Sequence, residues 1–218
     1  MALQNTQQVA KFNAAIKEIE ISNKKSLVFR FIKRTLDLVF SLAAFIVTLP
    51  FVLLFILLIK LESPGPALFI QERVGLNGKT FKIYKLRTMR SDAEANGPQW
   101  ATTDDPRITK LGKFLRKTRI DELPQFINVI RGDMSIVGPR PERAFFIVKF
   151  NHEVPGFTNR LVVKPGLTGW AQVNGGYELT PKEKLDLDLY YIDNQSLGLD
   201  FQIMFKTVAV VLTGEGAR

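Results

Sequence analysis

The chain has no cysteine among its 218 residues, and His152 is its single histidine. Disulfides, thiolate metal sites and thiol nucleophiles are therefore excluded, and a Ser-His triad could be built only around His152. Because no second histidine or cysteine accompanies it, an ordinary polar role is expected for His152. Chemistry must fall mainly to carboxylates, arginines, lysines or hydroxyls.

The first thirty residues lack the short apolar core, ending in small residues, that marks a cleaved signal peptide. We therefore expect the bulk of the chain to stay in the cytoplasm. Acidic residues are also scarce relative to basic ones, since 21 Asp and Glu against 30 Lys and Arg give a formal net charge of +9. This excess favours an anionic partner, and charge alone does not choose between nucleic acid, an anionic bilayer surface and a phosphorylated substrate.

A long apolar run follows the basic N-terminal region. The 22 residues from Leu38 to Ile59 carry no charge, and a straight helix of that length would measure about 33 Å, close to the thickness of a bilayer core. Pro50 interrupts the run and should kink a helix there. Seven basic residues lie on each side, in 11–34 and 60–90, so the positive-inside rule favours neither end. We expect a re-entrant helix with both ends in the cytoplasm, with a straight span and a buried soluble helix as alternatives.

Periodicity and turn residues predict the other elements. Ser63-Pro64-Gly65-Pro66 ends the apolar helix, and a β-hairpin is expected from Ala67–Val74 and Thr80–Met89, joined at Asn77-Gly78. The stretch 92–105 is polar and is expected to form a loop. Amphipathic or apolar periodicity predicts four further helices, over 8–20, Glu122–Arg131, Pro181–Asp193 and Leu199–Leu212. Two more helices are expected to begin at Lys24-Lys25, after a cap at Ser22 or Asn23, and at Asp105-Pro106.

Two adjacent carboxylates, Asp121 and Glu122, follow a dense row of cations. The row consists of Arg107, Lys110, Lys113, Arg116, Lys117 and Arg119. Such cations bind phosphate through charge-assisted hydrogen bonds, and a helix N-terminus adds free N–H groups. A carboxylate held ionised there could attack phosphorus or bind a divalent cation. Asp121 is equally an ordinary N-cap and Glu122 an ordinary first-turn residue, so the spacing leaves both interpretations open.

Two proline-rich turns complete the candidate features. Arg140 stands between Pro139 and Pro141, which fix how its guanidinium is presented, and this suits either a diphosphate clamp or a rigid surface turn. In the turn at 165–170, Gly166 is expected to adopt a positive φ. Trp170 is expected mainly to pack in the core, with base stacking or a membrane-interface position as alternatives.

Taken together, five segments resemble the bacterial sugar transferase family, also called monotopic phosphoglycosyl transferases. They are KLRTM at 85–89, DELPQ at 121–125, NVIRGDMS at 128–135, GPRP at 138–141 and PGLTGWAQVNG at 165–175. The resemblance extends from residue 31 to the C-terminus and leaves 1–30 outside. The family's re-entrant helix often breaks at a Ser-Pro pair, whereas this chain has Leu49-Pro50, with Thr48 as the nearest hydroxyl.

The resemblance implies a ping-pong reaction. In the family the aspartate corresponding to Asp121 attacks the β-phosphate of a UDP-sugar, UMP leaves, and the phospho-sugar passes from the aspartate to polyprenol (undecaprenyl) phosphate. The residue corresponding to Glu122 helps to hold Mg²⁺, and Arg116 and Arg140 are the expected phosphate-binding side chains. Further substrate-binding residues are expected at Lys85, Arg87 and Arg119.

The expected chain is mixed α/β and mainly helical, in three parts. These are an N-terminal amphipathic helical extension (1–30), a re-entrant membrane helix (31–62) and a cytoplasmic membrane-associated catalytic domain (63–218) with a β-hairpin and amphipathic interfacial helices. The resemblance places it at the bacterial inner membrane, with membrane lipid as a partner, no nucleic acid partner and self-association left open. A membrane-tethered binding module and a glycosyltransferase that moves the sugar without its phosphate are the alternative functions. The sugar and the pathway, whether capsule, exopolysaccharide, lipopolysaccharide O-antigen or glycoprotein glycan, are not indicated.

Overall fold

The computed structural model describes residues 2–19, 25–93, 105–176 and 178–213. Its helices are α1 (Ala2–Lys17), α2 (Leu27–Glu62), α3 (Lys110–Lys117), α4 (Phe126–Arg131), α5 (Ala144–Glu153), α6 (Trp170–Val173), α7 (Pro181–Asn194) and α8 (Leu197–Thr213). Its strands are β1 (Leu68–Val74), β2 (Thr80–Leu86), β3 (Ser135–Val137) and β4 (Gly166–Thr168). The mixed, mainly helical class is confirmed. Most of the polar stretch 92–105, for which a loop was expected, lies outside the described residues.

The apolar run forms the central part of α2, which is 36 residues long. At 1.5 Å per residue its path measures about 54 Å, more than a bilayer core. The helix begins at Leu27 because Ser26 caps it by accepting the Phe29 N–H, later than the predicted start at Lys24-Lys25. The predicted caps, Ser22 and Asn23, lie outside the described residues. Helical structure continues through Pro50.

The surface of α2 is mostly apolar and uncovered. Among the described residues, α2 is the one helix long and apolar enough to cross a membrane, and only 11% of its most apolar 18-residue window is buried. A core helix of a soluble domain would be largely buried. The side chains exposed on it include Leu42, Ile46, Val47, Leu49, Phe51, Leu53, Leu54 and Leu57.

The predicted hairpin is confirmed. β1 and β2 pair antiparallel from Leu68 opposite Leu86 to Val74 opposite Thr80. A short 3-10 turn joins them, in which Asn77 and Gly78 both adopt a positive φ. The hairpin packs against the second half of α2, where Ile59, Ala67, Leu86 and Leu115 belong to one buried apolar cluster.

Two predicted helices differ from the structure. α3 begins at Lys110, not at Asp105-Pro106, because the Thr109 hydroxyl accepts the Gly112 N–H and caps the helix there. The helix predicted over Glu122–Arg131 is divided, with a 3-10 turn over Ile120–Gln125 followed by α4. Gly132 ends α4 with a φ of +90°, as the sequence predicts.

The remaining helices follow the predicted pattern closely. The first described helix, α1, ends at Lys17 and starts at Ala2, ahead of the predicted residue 8. A capping box between Thr180 and Glu183 starts α7 at Pro181. The largest buried apolar cluster among the described residues includes side chains of α7 and α8. Its members include Val129, Met134, Val137, Tyr191, Ile192 and Ile203.

A short parallel pair, β3 and β4, holds the two proline-rich turns together. Ser135 lies opposite Gly166 and Val137 opposite Thr168. The expectation of a positive φ at Gly166 is wrong, since Gly166 lies in the extended strand β4. Glycine is needed for a different reason: a Cβ on Gly166 would overlap the Gly138 amide nitrogen and the Thr168 carbonyl oxygen.

Gly166→Ala should therefore lower the free energy of unfolding by about 3 kcal/mol or more, because both clashing groups are backbone and cannot rotate away. Gly198→Ala is the matched control, since nothing lies within 4 Å of a Cβ at that position in α8. It should be neutral or stabilising by up to about 1 kcal/mol. Thermal unfolding of both variants in detergent measures the difference, and equal midpoints would contradict the close-approach argument.

Candidate active site

Asp121 and Glu122 lie in the 3-10 turn between α3 and α4. Arg119 precedes the turn with a φ of +55°, in the left-handed region, and its carbonyl accepts the Glu122 N–H. Pro124, inside the turn, lacks the N–H that a regular α-helix would use. Both carboxylates are buried, with 7% of Asp121 and 8% of Glu122 exposed, so they are not the solvated caps of a surface helix.

Two cations from distant parts of the chain converge on Glu122. Lys85 Nζ, at the end of β2, lies 2.7 Å from Glu122 Oε1. Arg140 Nη2 donates to the same oxygen at 2.6 Å, and Arg140 Nη1 lies 3.5 Å from Oε2. Lys85 and Arg140 are 37 and 18 positions from Glu122 in the sequence, and the structure brings all three side chains together.

Burial and nearby cations act in opposition on Glu122. Burial works to raise its pKa, but the charges of Arg140 and Lys85 and the hydrogen bonds that both donate outweigh it, and the pKa of Glu122 is well below its usual value. Glu122 is therefore ionised throughout the neutral range and acts as the counter-ion of both cations.

Asp121 has a different environment. Its Oδ2 lies 4.0 Å from Lys85 Nζ, which is an ion-pair distance without a hydrogen bond. Burial raises the pKa of Asp121 to about 6, assisted by the negative charge of Glu122 and opposed by Lys85, Arg116 and Arg140. Asp121 is therefore a weaker acid than an exposed aspartic acid, because burial outweighs the surrounding cations, but it is still mainly ionised at pH 7. The pair consists of one fixed anion and one carboxylate that titrates near neutrality, which is the pattern expected of a catalytic dyad.

Arg116 approaches the dyad from α3. Its Nε donates to the Thr88 hydroxyl at 2.8 Å, which fixes the direction of the side chain, and its charge acts on Asp121. Lys85, Arg116 and Arg140, which were all predicted to bind phosphate or substrate, therefore surround the two carboxylates. Such a group of cations matches the charge of a diphosphate.

A model of the bacterial sugar transferase family matches residues 28–214. The chain belongs to this family. A relative from Aeromonas hydrophila, named UDP-N-acetylgalactosamine-undecaprenyl-phosphate N-acetylgalactosaminephosphotransferase, is 48% identical over 196 residues, which are 88% of this chain and 46% of the relative.

Other sugar transferases are similar over most of this chain. The UDP-glucose:undecaprenyl-phosphate glucose-1-phosphate transferase of Escherichia coli (strain K12) is 42% identical over 186 residues, 83% of this chain and 40% of the relative. The exopolysaccharide production protein PSS of Rhizobium leguminosarum bv. phaseoli is 43% identical over 196 residues, 85% of this chain and 98% of the relative. The chain thus spans less than half of the first two relatives and nearly all of the third.

Not every predicted substrate-binding residue of this sugar transferase faces the dyad. Arg87 is buried, and its guanidinium donates to the Ser63 and Pro64 carbonyls and the Ser63 hydroxyl at 2.8 Å. These contacts hold the C-terminal end of α2 against the hairpin, and they indicate a structural role for Arg87 in place of the predicted one. Arg119 shapes the turn through its backbone, as described above.

Several residues that support the site were not found from the sequence. Arg160 and Asp188 form a buried ion pair at 2.7 Å, and Arg160 Nη2 also donates to the Arg140 carbonyl at 3.0 Å. The pair holds the backbone from which Arg140 reaches Glu122. Arg160 lies in a 3-10 turn and Asp188 in α7, and neither position carries a local pattern that distinguishes it from a surface charge.

The dyad offers carboxylate oxygens, which are the kind of ligand that a magnesium ion takes. The described residues contain no group of three or more acidic or histidine side chains, which excludes an all-protein cage among them. Magnesium, however, usually takes one or two carboxylates and completes its shell with phosphate oxygens and water. Glu122 Oε2, whose contact with Arg140 is long at 3.5 Å, keeps capacity for a cation.

Proposed function

We propose that this sugar transferase moves a sugar 1-phosphate from a UDP-sugar onto undecaprenyl phosphate and releases UMP. The product would begin the synthesis of an exopolysaccharide or another glycoconjugate at the cytoplasmic face of the inner membrane. The observation that carries the proposal is a buried Asp121 with a raised pKa, set among Lys85, Arg116 and Arg140. The names of the Aeromonas and Escherichia relatives, which specify undecaprenyl phosphate and a UDP-sugar, support it.

In the first step, an Asp121 carboxylate oxygen attacks the β-phosphorus of the UDP-sugar. A carboxylate–phosphorus bond forms, the bond from that phosphorus to the bridging oxygen breaks, and UMP leaves with the electron pair. Lys85, Arg116 and Arg140 bind the diphosphate oxygens and the charge that develops on them. Glu122 holds Lys85 and Arg140 at the distances this requires.

In the second step, a phosphate oxygen of undecaprenyl phosphate attacks the phosphorus of the aspartyl phospho-sugar. The new phosphoanhydride bond forms as the bond to Asp121 breaks, which restores the carboxylate. Mg²⁺ held by Glu122 would neutralise charge on the phosphates and polarise them. The same side-chain cations serve both steps, since in each step negative charge develops on the oxygens of the same phosphorus atom in the transition state.

The leaving group tests the proposal. Purified protein is incubated with undecaprenyl phosphate, Mg²⁺ and UDP-glucose, UDP-galactose, UDP-N-acetylglucosamine or UDP-N-acetylgalactosamine, and the nucleotide released is identified by chromatography. UMP is expected with at least one donor, and chelation of the metal with EDTA should remove the release. Release of UDP would mean transfer of the sugar alone, and no release with any donor would favour a binding module.

Contacts at both ends of α2 support a proposal for the membrane topology. In its first half, Arg34 donates to the Val129 and Ile130 carbonyls at 2.6 and 2.8 Å. In its second half, the Ile59 side chain is buried and the Phe55 and Phe114 rings lie 6.0 Å apart. No residue from 42 to 51 is buried. Because the domain that both halves contact can lie on only one side of a bilayer, we propose that α2 enters and leaves the membrane on the same face.

Cysteine labelling checks this topology without background, since the chain has no native cysteine. Single cysteines at Lys25 and at Lys79, which lie before α2 and after β1, should both react with a membrane-impermeant maleimide in inside-out vesicles. Both should be protected in right-side-out vesicles. Reaction of the two positions from opposite sides would contradict the re-entrant helix.

The pKa of Asp121 predicts the acid limb of the pH profile. The nucleophile must be ionised, and burial raises its pKa to about 6, so kcat/KM should fall as the pH decreases through 6 and level off above it. At pH 5 it should be about tenfold below the plateau. Glu122, whose pKa is lowered, stays ionised over this range. UMP release measured from pH 4.5 to 8 checks the limb, and a profile flat down to pH 5 would contradict the assignment.

A further inference from the structure

A second group of cations lies at the C-terminal end of α4. A Cβ on Gly132 would lie 3.4 Å from Arg34 Nη2 and 3.5 Å from Lys164 Nζ, so both nitrogens face the same small space above the Gly132 backbone. Gly132 has a φ of +90° and no side chain to fill that space. Two cationic nitrogens at one opening can bind oxygens of a single phosphate group.

Lys164 lacks the contacts that usually balance a partly buried lysine. Within the described residues it takes part in no hydrogen bond or ion pair, whereas Arg34 is directed by the two α4 carbonyls. Burial lowers the pKa of Lys164, and the charges of Arg34 and Arg30 lower it further against the opposing effects of Asp37 and Asp133. Asp37 is already engaged, since its carboxylate accepts the Ser135 hydroxyl and the Ile136 N–H. An external anion would relieve this accumulation of positive charge.

The position of the group along α2 indicates the source of the anion. Arg34 lies four residues before the charge-free run begins at Leu38, about 6 Å along a helix axis. The side chains of Leu27, Val28 and Phe31, on the preceding turns, are apolar and mostly exposed. When α2 is inserted as proposed above, Arg34 and Lys164 lie at the level of lipid headgroups, where cations bind anionic lipid.

We propose that Arg34 and Lys164, with Arg30 at the rim, form a binding site for the phosphate of an anionic phospholipid headgroup. The lipid fixes the first turns of α2 against α4 and so sets the depth at which the domain sits on the bilayer. The site depends on the proposed insertion of α2 and not on the transferase chemistry.

Thermal unfolding in neutral detergent tests the site without any nucleotide sugar, so its result is independent of the transferase reaction. Dihexanoyl phosphatidylglycerol should raise the Tm of the wild-type protein by about 3 °C, and the increase should level off as the lipid concentration rises. Dihexanoyl phosphatidylcholine and inorganic phosphate should raise it by less than about 1 °C. Equal effects of the two lipids would overturn the proposal, and an equal effect of inorganic phosphate would overturn the assignment to lipid.

Substitutions locate the effect. Lys164→Gln should lose the response to phosphatidylglycerol, Lys164→Arg should keep it, and Lys149→Gln, at an exposed lysine of α5, should behave as the wild type. Asp133→Asn removes an opposing charge and should lower the half-saturating lipid concentration about threefold, which keeps the test decisive if Lys164→Gln is poorly folded. A full response in Lys164→Gln, or no change in Asp133→Asn, would overturn the site.

Discussion

Asp121→Asn is expected to lower turnover by about 10⁴-fold or more, the scale of losses seen when a covalent catalyst loses its nucleophile. The amide keeps the size of the side chain and fits the same turn, but it has no anionic oxygen to attack phosphorus. Because burial already disfavours charge at this position, removing the charge should not destabilise the fold. The loss should therefore appear in kcat, measured by UMP release, with an unchanged Tm.

Asp186→Asn is the matched control, since this carboxylate lies on the exposed face of α7 and forms an ion pair with Lys182 on the same helix. It should keep full activity. Mass spectrometry supplies the direct test: wild-type protein trapped with the donor and no acceptor should carry a phospho-hexose adduct on the peptide that contains Asp121. An active Asp121→Asn enzyme, or an adduct on another residue, would overturn the assignment of the nucleophile.

Glu122→Gln is expected to lower kcat/KM by about 10²- to 10³-fold, the loss typical when one preorganised charge is removed from an active site. Its carboxylate is the common acceptor for Lys85 and Arg140, at 2.7 and 2.6 Å. Neutralising it removes the counter-ion that these two partly buried cations share, so the free energy of unfolding should also fall, by about 3 kcal/mol. Loss of a hard oxygen ligand should at the same time raise the Mg²⁺ concentration needed for activity.

The pH profile separates this effect from simple unfolding. The negative charge of Glu122 raises the pKa of Asp121, so removing it should lower that pKa and move the acid limb of the remaining activity below pH 6. Glu153→Gln is the control, since this exposed glutamate forms a long ion pair with Lys149, at 3.9 Å. It should leave both rate and profile unchanged. An acid limb that stays at pH 6 in Glu122→Gln would contradict the coupling between the two carboxylates.

Local sequence patterns predicted most elements and misplaced several boundaries. The 22-residue apolar run, the Asn77-Gly78 turn and the proline start of α7 are local signals, and the corresponding helices and hairpin are present. The start of α3 was misplaced because Thr109 caps the helix by hydrogen bonding, although Asp105-Pro106 offers an equally good local signal. Propensity ranks such starts but does not decide between them.

The candidate site, too, was predicted in part from the sequence. The motifs pointed to Asp121, Glu122, Lys85, Arg116 and Arg140, and these side chains do lie around one dyad. Arg87 belongs to the same KLRTM segment as Lys85 yet faces the end of α2. Lys85 and Arg87 are two positions apart, so strand alternation alone would place both side chains on the same face of the hairpin. β2 ends at Leu86, so Arg87 lies beyond the strand and its direction does not follow from the alternation. The pairing of Arg160 with Asp188 could not be predicted, since a buried ion pair and two surface charges look alike in a sequence.

The sequence by itself determined the family, the long apolar helix and the chemistry available, because motif order, the absence of cysteine and a long uncharged run are all properties of residue identity and spacing. Only the tertiary structure decided which carboxylate titrates near neutrality and which cations reach it. Burial raises the pKa of Asp121 to about 6, while Lys85 and Arg140, distant along the chain, hold the pKa of Glu122 low. Desolvation and Coulomb energy depend on distances in space, and adjacent residues with the same functional group become different acids only after the chain has folded around them.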